Sequence, residues 1–259
     1  MKKAILIGGT EHRGREYYNL LNSKFHFVAA VDSNAKLLNE IFDNRKIKTS
    51  EYLDDILFNV DFDIAIICLP HITHKEVTIP LIKAGKTIIK EKPLATSTAE
   101  LLEYKEAMRK YKNYKLLTIV QRQFSSIFKQ AYDHLPLLGK IYNFKYEYNL
   151  NAQTQITGWR AEYEKSKGGV LIDMGYHVLD VILSFFGQYK SIYCLKSYCD
   201  ERMEKNSLED SIFLLIEHSS GICGSINITR QHSQKNEIFE IIGSQGTMII
   251  TPSYFKLFI

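Results

Sequence analysis

Across residues 1–121, short apolar runs alternate with stretches of helical spacing. Lys3–Ile7 is an apolar run that ends in Gly8-Gly9, and helical spacing resumes over Arg15–Leu21. Phe27–Val31 is a second run, closed by Asp32, and Ala35–Phe42 and Glu51–Leu57 read as helices. Asp63–Leu69 stops at Pro70, Lys75–Ala84 is an amphipathic helix stopped by Gly85, and Thr87–Lys90 runs into Glu91-Lys92-Pro93. Ser97–Tyr111 reads as a long helix, with Ser97 as N-cap and Glu100 three residues on, which is the spacing of a capping box. Leu116–Val120 is the fifth run. Continuously apolar strands alternating with helices predict a parallel, doubly wound sheet covered on both faces.

The period changes in residues 122–259. Ile141–Asn149 alternates, with Tyr142, Phe144, Tyr146 and Tyr148 on one side and Asn143, Lys145 and Glu147 on the other. Ile212–Glu217, Gly221–Thr229, Glu237–Gly243 and Gly246–Thr251 are strand-like, joined by turns at Ser219-Ser220-Gly221 and Ser244-Gln245-Gly246. One helix, about Leu171 to Phe186, precedes most of them. The expectation is a Rossmann domain over 1–121 followed by an α+β domain over 122–259 with an open, mainly antiparallel sheet.

Composition narrows the class. The chain has 259 residues, 45% hydrophobic and 24% charged, with 33 basic and 29 acidic side chains for a net charge of +4. No basic run exceeds Lys2-Lys3, which argues against a dedicated nucleic-acid binder. No continuous apolar stretch reaches the ~18 residues of a membrane span. The four cysteines (68, 194, 199 and 223) form no Cys-x-x-Cys pair. A reduced, cytoplasmic protein is expected.

The first strand-to-helix turn, Gly9-Thr10-Glu11-His12-Arg13-Gly14, matches the first and third glycines of a dinucleotide fingerprint, with Glu11 at the second. A carboxylate beside a pyrophosphate is unfavourable, so a turn without a ligand is the competing reading of these residues alone. Gly8-Gly9 offers a one-residue shift of the loop that aims Glu11 outward. Asp32 ends the second run, where an acid accepts hydrogen bonds from a ribose diol; by itself it also suits an N-cap. The acid favours NAD(H), while Arg13 and Ser33-Asn34 leave NADP(H) open.

Two further blocks stand out. One is Cys68-Leu69-Pro70-His71-Ile72-Thr73-His74, with Ala84-Gly85-Lys86 and Glu91-Lys92-Pro93-Leu94-Ala95. The other is Gly158-Trp159-Arg160 and Gly168 to Asp180, including Asp173-Met174-Gly175-Tyr176-His177. Together they resemble the Gfo/Idh/MocA oxidoreductases, and the resemblance spans about residues 3–251. It implies NAD(P)-dependent hydride transfer at an alcohol or ketone carbon of a sugar, nucleotide sugar, inositol or related compound.

On that resemblance, Lys92, His177 and Asp173 are the catalytic set. An ammonium at the carboxyl end of a parallel sheet can bond a substrate oxygen, and Pro93 biases Lys92 toward an extended backbone. Asp173 and His177 are four apart, hence on one helix face. An imidazole, with its ordinary pKa of about 6.5, exchanges protons near neutrality. A surface lysine, a helix-capping aspartate and a satisfied histidine are the competing readings, and no third ligand supports a metal pair. The resemblance also places Gly9, Arg13, Gly14, Asp32, Ser33, Leu69, Pro70, His74, Glu91, Lys92 and Gln121 on the cofactor. Arg122, Trp159 and Arg160 join Lys92, Asp173 and His177 on the substrate. The other histidines (12, 26, 71, 134, 218 and 232) are expected at the surface or in structural roles.

Chain length and sheet exposure add further expectations. Family members usually continue for tens of residues past the last strand, so either a natural short form or a chain that has lost its end is expected here. The sheet beginning at Ile141 is expected to expose its aromatic face, cover helix 171–186 with the other, and pair copies into a homodimer or homotetramer. A loop over Asn149–Thr157 is expected to shape specificity. The rival function is a cofactor- or sugar-sensing regulator on the same fold, without turnover.

Overall fold

A computed structural model describes residues 1–42, 46–151 and 157–259, so residues 152–156 of the expected specificity loop lie outside the described residues. The chain forms two compact units, Met1–Ile119 and Val120–Ile259.

In the first unit the elements run β1 (Lys3–Ile7), α1 (His12–Leu21), β2 (His26–Val31), α2 (Ala35–Phe42), β3 (Lys48–Ser50), α3 (Leu53–Asn59), β4 (Ile64–Ile67), α4 (His74–Lys83), β5 (Thr87–Glu91), α5 (Thr98–Lys110) and β6 (Lys115–Ile119). All strands are parallel, in the order β3-β2-β1-β4-β5-β6. The order reverses between β1 and β4, the switch point beside which ligands bind at the strands' carboxyl ends. Both sheet faces are covered. Ile5, Ile7, Ala29 and Val31 pack into one core layer, and Ala4, Leu6 and Ala30 into the other. That two-sided burial is why these strands read as unbroken apolar runs.

The sheet has six strands where the apolar runs predict five. The extra strand, β3, is Lys48-Thr49-Ser50, a three-residue polar edge whose partner is β2. An edge strand needs no apolar run. The predicted N-cap of α5 is present: Ser97 accepts from the Glu100 N–H at 3.1 Å. The Glu100 carboxylate, however, accepts from Thr96 N (2.5 Å) and Thr96 Oγ1 (2.6 Å), one residue outside the capping box.

The second unit comprises α6 (Ser126–His134), β7 (Ile141–Asn151), α7 (Tyr163–Ser166), a π turn over Leu171–Gly175, α8 (Tyr176–Phe186), β8 (Tyr189–Ser197), α9 (Glu201–Lys205), β9 (Ser211–His218), β10 (Cys223–Thr229), β11 (Gln231–Gly243), β12 (Gly246–Ile250) and β13 (Phe255–Phe258). Its seven strands lie in the order β13-β12-β11-β7-β10-β9-β8. The β7–β10 pair is parallel and the other pairs are antiparallel, so the sheet is mixed.

The expected facing of this sheet is reversed. Phe144, Tyr146 and Tyr148 are buried with Ile226, Ile228, Phe239 and Ile241 against Val178, Val181, Ile182 and Phe185 of α8. Phe144 stacks on Phe186 and Tyr146 on Phe239, each with centroids 4.9 Å apart. The aromatic side of β7 therefore covers the helix, because it carries the larger apolar area to remove from water. The outer face carries Asn143, Lys145 and Glu147, opposite Ser225 and Asn227 in register. The stretch Tyr163–Phe186, 24 residues, is apolar enough to cross a membrane by length and composition. Its apolar side is the one packed under this sheet.

Candidate functional site

The turn after β1 is shaped by close backbone approach. A Cβ on Gly14, inside the first turn of α1, would lie 1.9 Å from the Gly8 carbonyl oxygen. Only glycine lets the helix start that near the strand, the role of the third glycine in a dinucleotide turn. Glu11 is the N-cap of α1, exposed, and makes no side-chain cap bond. Its φ of −74° requires no glycine, which accounts for a carboxylate in place of the second fingerprint glycine. The amino end of α1 thus lacks a side-chain cap, the state in which helix N–H groups suit an anion.

Asp32, at the end of β2, is 9% exposed. Its Oδ2 accepts from Thr10 N (2.9 Å) and Thr10 Oγ1 (2.8 Å), and Oδ1 from Asn34 N (3.0 Å). The acid is thereby locked to the glycine turn, with acceptor sites remaining on a carboxylate that has about four. Arg13 is exposed, and its Nη1 donates to Glu16 at 2.6 Å. Ser33 is exposed.

The β4 and β5 ends carry the next residues. Leu69 and Pro70 are half-buried. His74 is 1% exposed, so it lies in the interior of the unit and not on the cofactor-facing surface expected of it. Its Nε2 lies 2.9 Å from the Leu69 carbonyl and its Nδ1 3.3 Å from that of Pro93, joining the ends of two strands. Burial, with Lys90 nearby, pushes the ring down to about 3. Glu91 accepts from the Tyr17 hydroxyl at 2.6 Å, tying β5 to α1. Lys92 is half-buried and joined to Pro93 by a cis peptide bond.

In the second unit, Gly169 admits the segment before β9: a Cβ there would lie 1.9 Å from Glu209 O. The Glu209 carboxylate accepts from Gly169 N and Leu171 N, each at 3.0 Å, and caps the π turn. That turn carries Asp173, with His177 in the first turn of α8. Single π turns inside helices are frequent at functional sites. The Asp173 Oδ2 accepts from Nη2 of Arg230, which is 4% exposed, and lies 3.8 Å from Arg160 Nε. The Arg160 guanidinium in turn lies over the Trp159 ring, 4.2 Å from its centroid. Asp173 is thus held between two cations. Asp180 follows on α8; burial raises its pKa, against a 3.3 Å bond from Gln123 Nε2.

Arg122, expected on the substrate, is instead paired within the second unit. Its Nε and Nη2 both donate to the Glu237 carboxylate, the second at 2.7 Å, and its guanidinium covers the Tyr148 ring at 4.7 Å. Tyr146 adds a bond to the same carboxylate at 2.7 Å. With its charge balanced by a buried acid, Arg122 serves the unit's interior. Gln121 is exposed at the start of this turn. Arg230, Glu237, Glu209 and Thr10 carry no local signal for these roles; their partners are distant in sequence. Among the described residues no cluster of three metal-ligating side chains occurs.

A parallel, doubly wound sheet with a glycine turn and a strand-end acid, followed by a mixed sheet with an Asp/His turn, defines a two-unit architecture with a Rossmann first unit. Two family models match: the NAD-binding Rossmann fold of an oxidoreductase family over residues 3–118, and the GFO/IDH/MocA C-terminal domain over 137–249. The chain belongs to the Gfo/Idh/MocA family of oxidoreductases. Levoglucosan dehydrogenase of Pseudarthrobacter phenanthrenivorans is 24% identical over 221 residues, 75% of this chain and 56% of that protein. The scyllo-inositol 2-dehydrogenase (NAD(+)) of Bacillus subtilis is 28% identical over 211 residues, 78% of this chain and 59% of that protein. The chain thus spans a little over half the length of these relatives. The WlbA dehydrogenase of Bordetella pertussis, solved with NADH and UDP-GlcNAcA, superposes with a TM-score of 0.89 at 19% identity, over 100% of this chain and 77% of that one.

Proposed function

We propose that the protein is an NAD(H)-dependent oxidoreductase acting on a CH–OH group of a sugar, nucleotide sugar or cyclic polyol. The observation that carries this reading is the Asp32 carboxylate fastened by Thr10 beside the uncapped amino end of α1. That pairing suits a ribose diol and a pyrophosphate together. The bound nicotinamide would supply or accept the hydride. Lys92 donates a hydrogen bond to the reacting oxygen and stabilises charge developing on it. His177 exchanges the hydroxyl proton. Asp173, paired with Arg230, orients the substrate.

Asp32 disfavours a 2′-phosphate, by roughly 1–3 kcal/mol if it accepts both ribose hydroxyls. Arg13, paired with Glu16, offers that phosphate little compensation. The test is titration with NADH and NADPH, then turnover on levoglucosan, inositols and UDP-sugars. NADH preference that Asp32→Ala erases, and turnover that Lys92→Ala removes, support the reading. Tight NADH binding with no turnover on any substrate would instead indicate a sensor.

We propose further that two copies pair through the outer face of the mixed sheet. Support comes from Tyr193, Leu195, Phe213 and Leu215, which are 49–61% exposed and adjacent through the Tyr193–Leu215 and Leu195–Phe213 pairs. Such a patch is large for a monomer to leave in water. Sedimentation of wild type and Leu215→Asp checks it; a wild-type mass of 30.0 kDa refutes it. Four free cysteines, three of them exposed, support a cytoplasmic location.

A further inference from the structure

Lys90 lies two residues before Lys92, on the inward side of β5 that it shares with Ile88, and is 0% exposed. Its Nζ donates to the Leu94 carbonyl at 2.9 Å and lies 3.4 Å from the Tyr104 hydroxyl. Glu100, the carboxylate that acts on it through space, spends its own hydrogen bonds on Thr96. A buried amine without a bonded acid is unfavourable to keep, and burial pushes this one down to about 7. An apolar side chain would fill the same space without that cost. Full burial rules out contact with a ligand. What remains is the grip on the backbone.

That grip completes a set. Three anchors surround Lys92: Tyr17 holds the Glu91 carboxylate, His74 lies against the Pro93 carbonyl, and Lys90 bonds the Leu94 carbonyl. Residues 91, 93 and 94 are thus each tied to a different part of the unit, with Lys92 between them.

We propose that Lys90 is a positioning residue, which through the Leu94 carbonyl sets the turn from which Lys92 projects. The inference rests on the reading of Lys92 as the residue that meets the substrate oxygen. Tyr104 holds the other side of the amine, and the Tyr104 hydroxyl is raised to about 12 by its own burial, so it stays a neutral partner.

The test compares Lys90→Met, which keeps the volume and removes the donor, with Lys90→Gln, which keeps an N–H donor one bond shorter. Acetic anhydride labelling of the native protein, resolved by peptide mass spectrometry, reads the setting of Lys92 without requiring a substrate. Lys90→Met should change the Lys92 labelling rate severalfold while other lysines stay at wild-type rates, and Lys90→Gln should fall between. NADH affinity, carried mainly by Asp32 and the amino end of α1, should change far less than the Lys92 labelling rate in both. On any substrate the wild type turns over, Lys90→Met should lose kcat by up to about a hundredfold, the scale of an ångström misplacement, with KM little altered. Wild-type Lys92 labelling in a folded Lys90→Met overturns the proposal. So does failure of both variants to fold, which would assign Lys90 to stability alone. If NADH does not bind the wild type, the functional reading falls, and the labelling still decides the role of Lys90.

Discussion

His74 makes the first unit acid-sensitive below pH 6.5. Its ring is driven from 6.5 to about 3, by burial first and by Lys90 second. Between those values the unfolded chain binds a proton that the folded chain refuses. The His74 contribution is therefore nil above 6.5, and it lowers stability as pH drops through 6.5 toward 3. At 1.36 kcal/mol per unit the acid limit is about 5 kcal/mol, and the share reached by pH 5 is about 2 kcal/mol. That is a large part of a domain's usual 5–15 kcal/mol. Carboxylates titrate mainly below about 4.5. Lys90, down from 10.5 to about 7, loses stability between those values and is nearly saturated below them. The assay is urea unfolding followed by circular dichroism at pH 7.5, 6.5, 5.5 and 5, on wild type and His74→Gln. Wild type should lose about 2 kcal/mol more than the variant across that range. Parallel losses would refute the assignment of a neutral, buried ring.

Three further outcomes rest on packing. Gly14→Ala forces a Cβ to within 1.9 Å of the Gly8 oxygen and should abolish NADH binding, read by fluorescence titration, while α1 is displaced. Glu237→Leu leaves the buried Arg122 cation without its acid and should cost about 3–5 kcal/mol in urea unfolding of the second unit. Tyr146→Glu buries a second carboxylate beside Glu237, so circular dichroism should show an unfolded second unit, and sedimentation should not show a folded, dissociated monomer.

The parallel sheet is readable because its signals are local: runs of Ile, Ala and Val buried on both faces, glycine at the turn, Ser97 at the helix start. The mixed sheet is readable only as to period. Alternation along β7 separates Phe144, Tyr146 and Tyr148 from Asn143, Lys145 and Glu147, but which set faces the core depends on what each polar atom finds there. Tyr146 can be inside because Glu237, 91 residues away, accepts a hydrogen bond from its hydroxyl, and Arg122 balances Glu237. Arg122 reads as a ligand-binding cation for the same reason, since the acid that neutralises it lies in a different strand. A helical spacing of four puts Asp173 and His177 on one face, yet a π turn intervenes, and Arg230 at 57 residues' distance holds the acid. Lys90 is the sharpest instance. It stands where the parity of β5 demands an apolar side chain, and the lysine is accounted for by a carbonyl that reaches it after the chain has turned at Pro93. A charged residue on the buried parity of a strand is thus itself a signal, pointing to the loop beyond that strand's end.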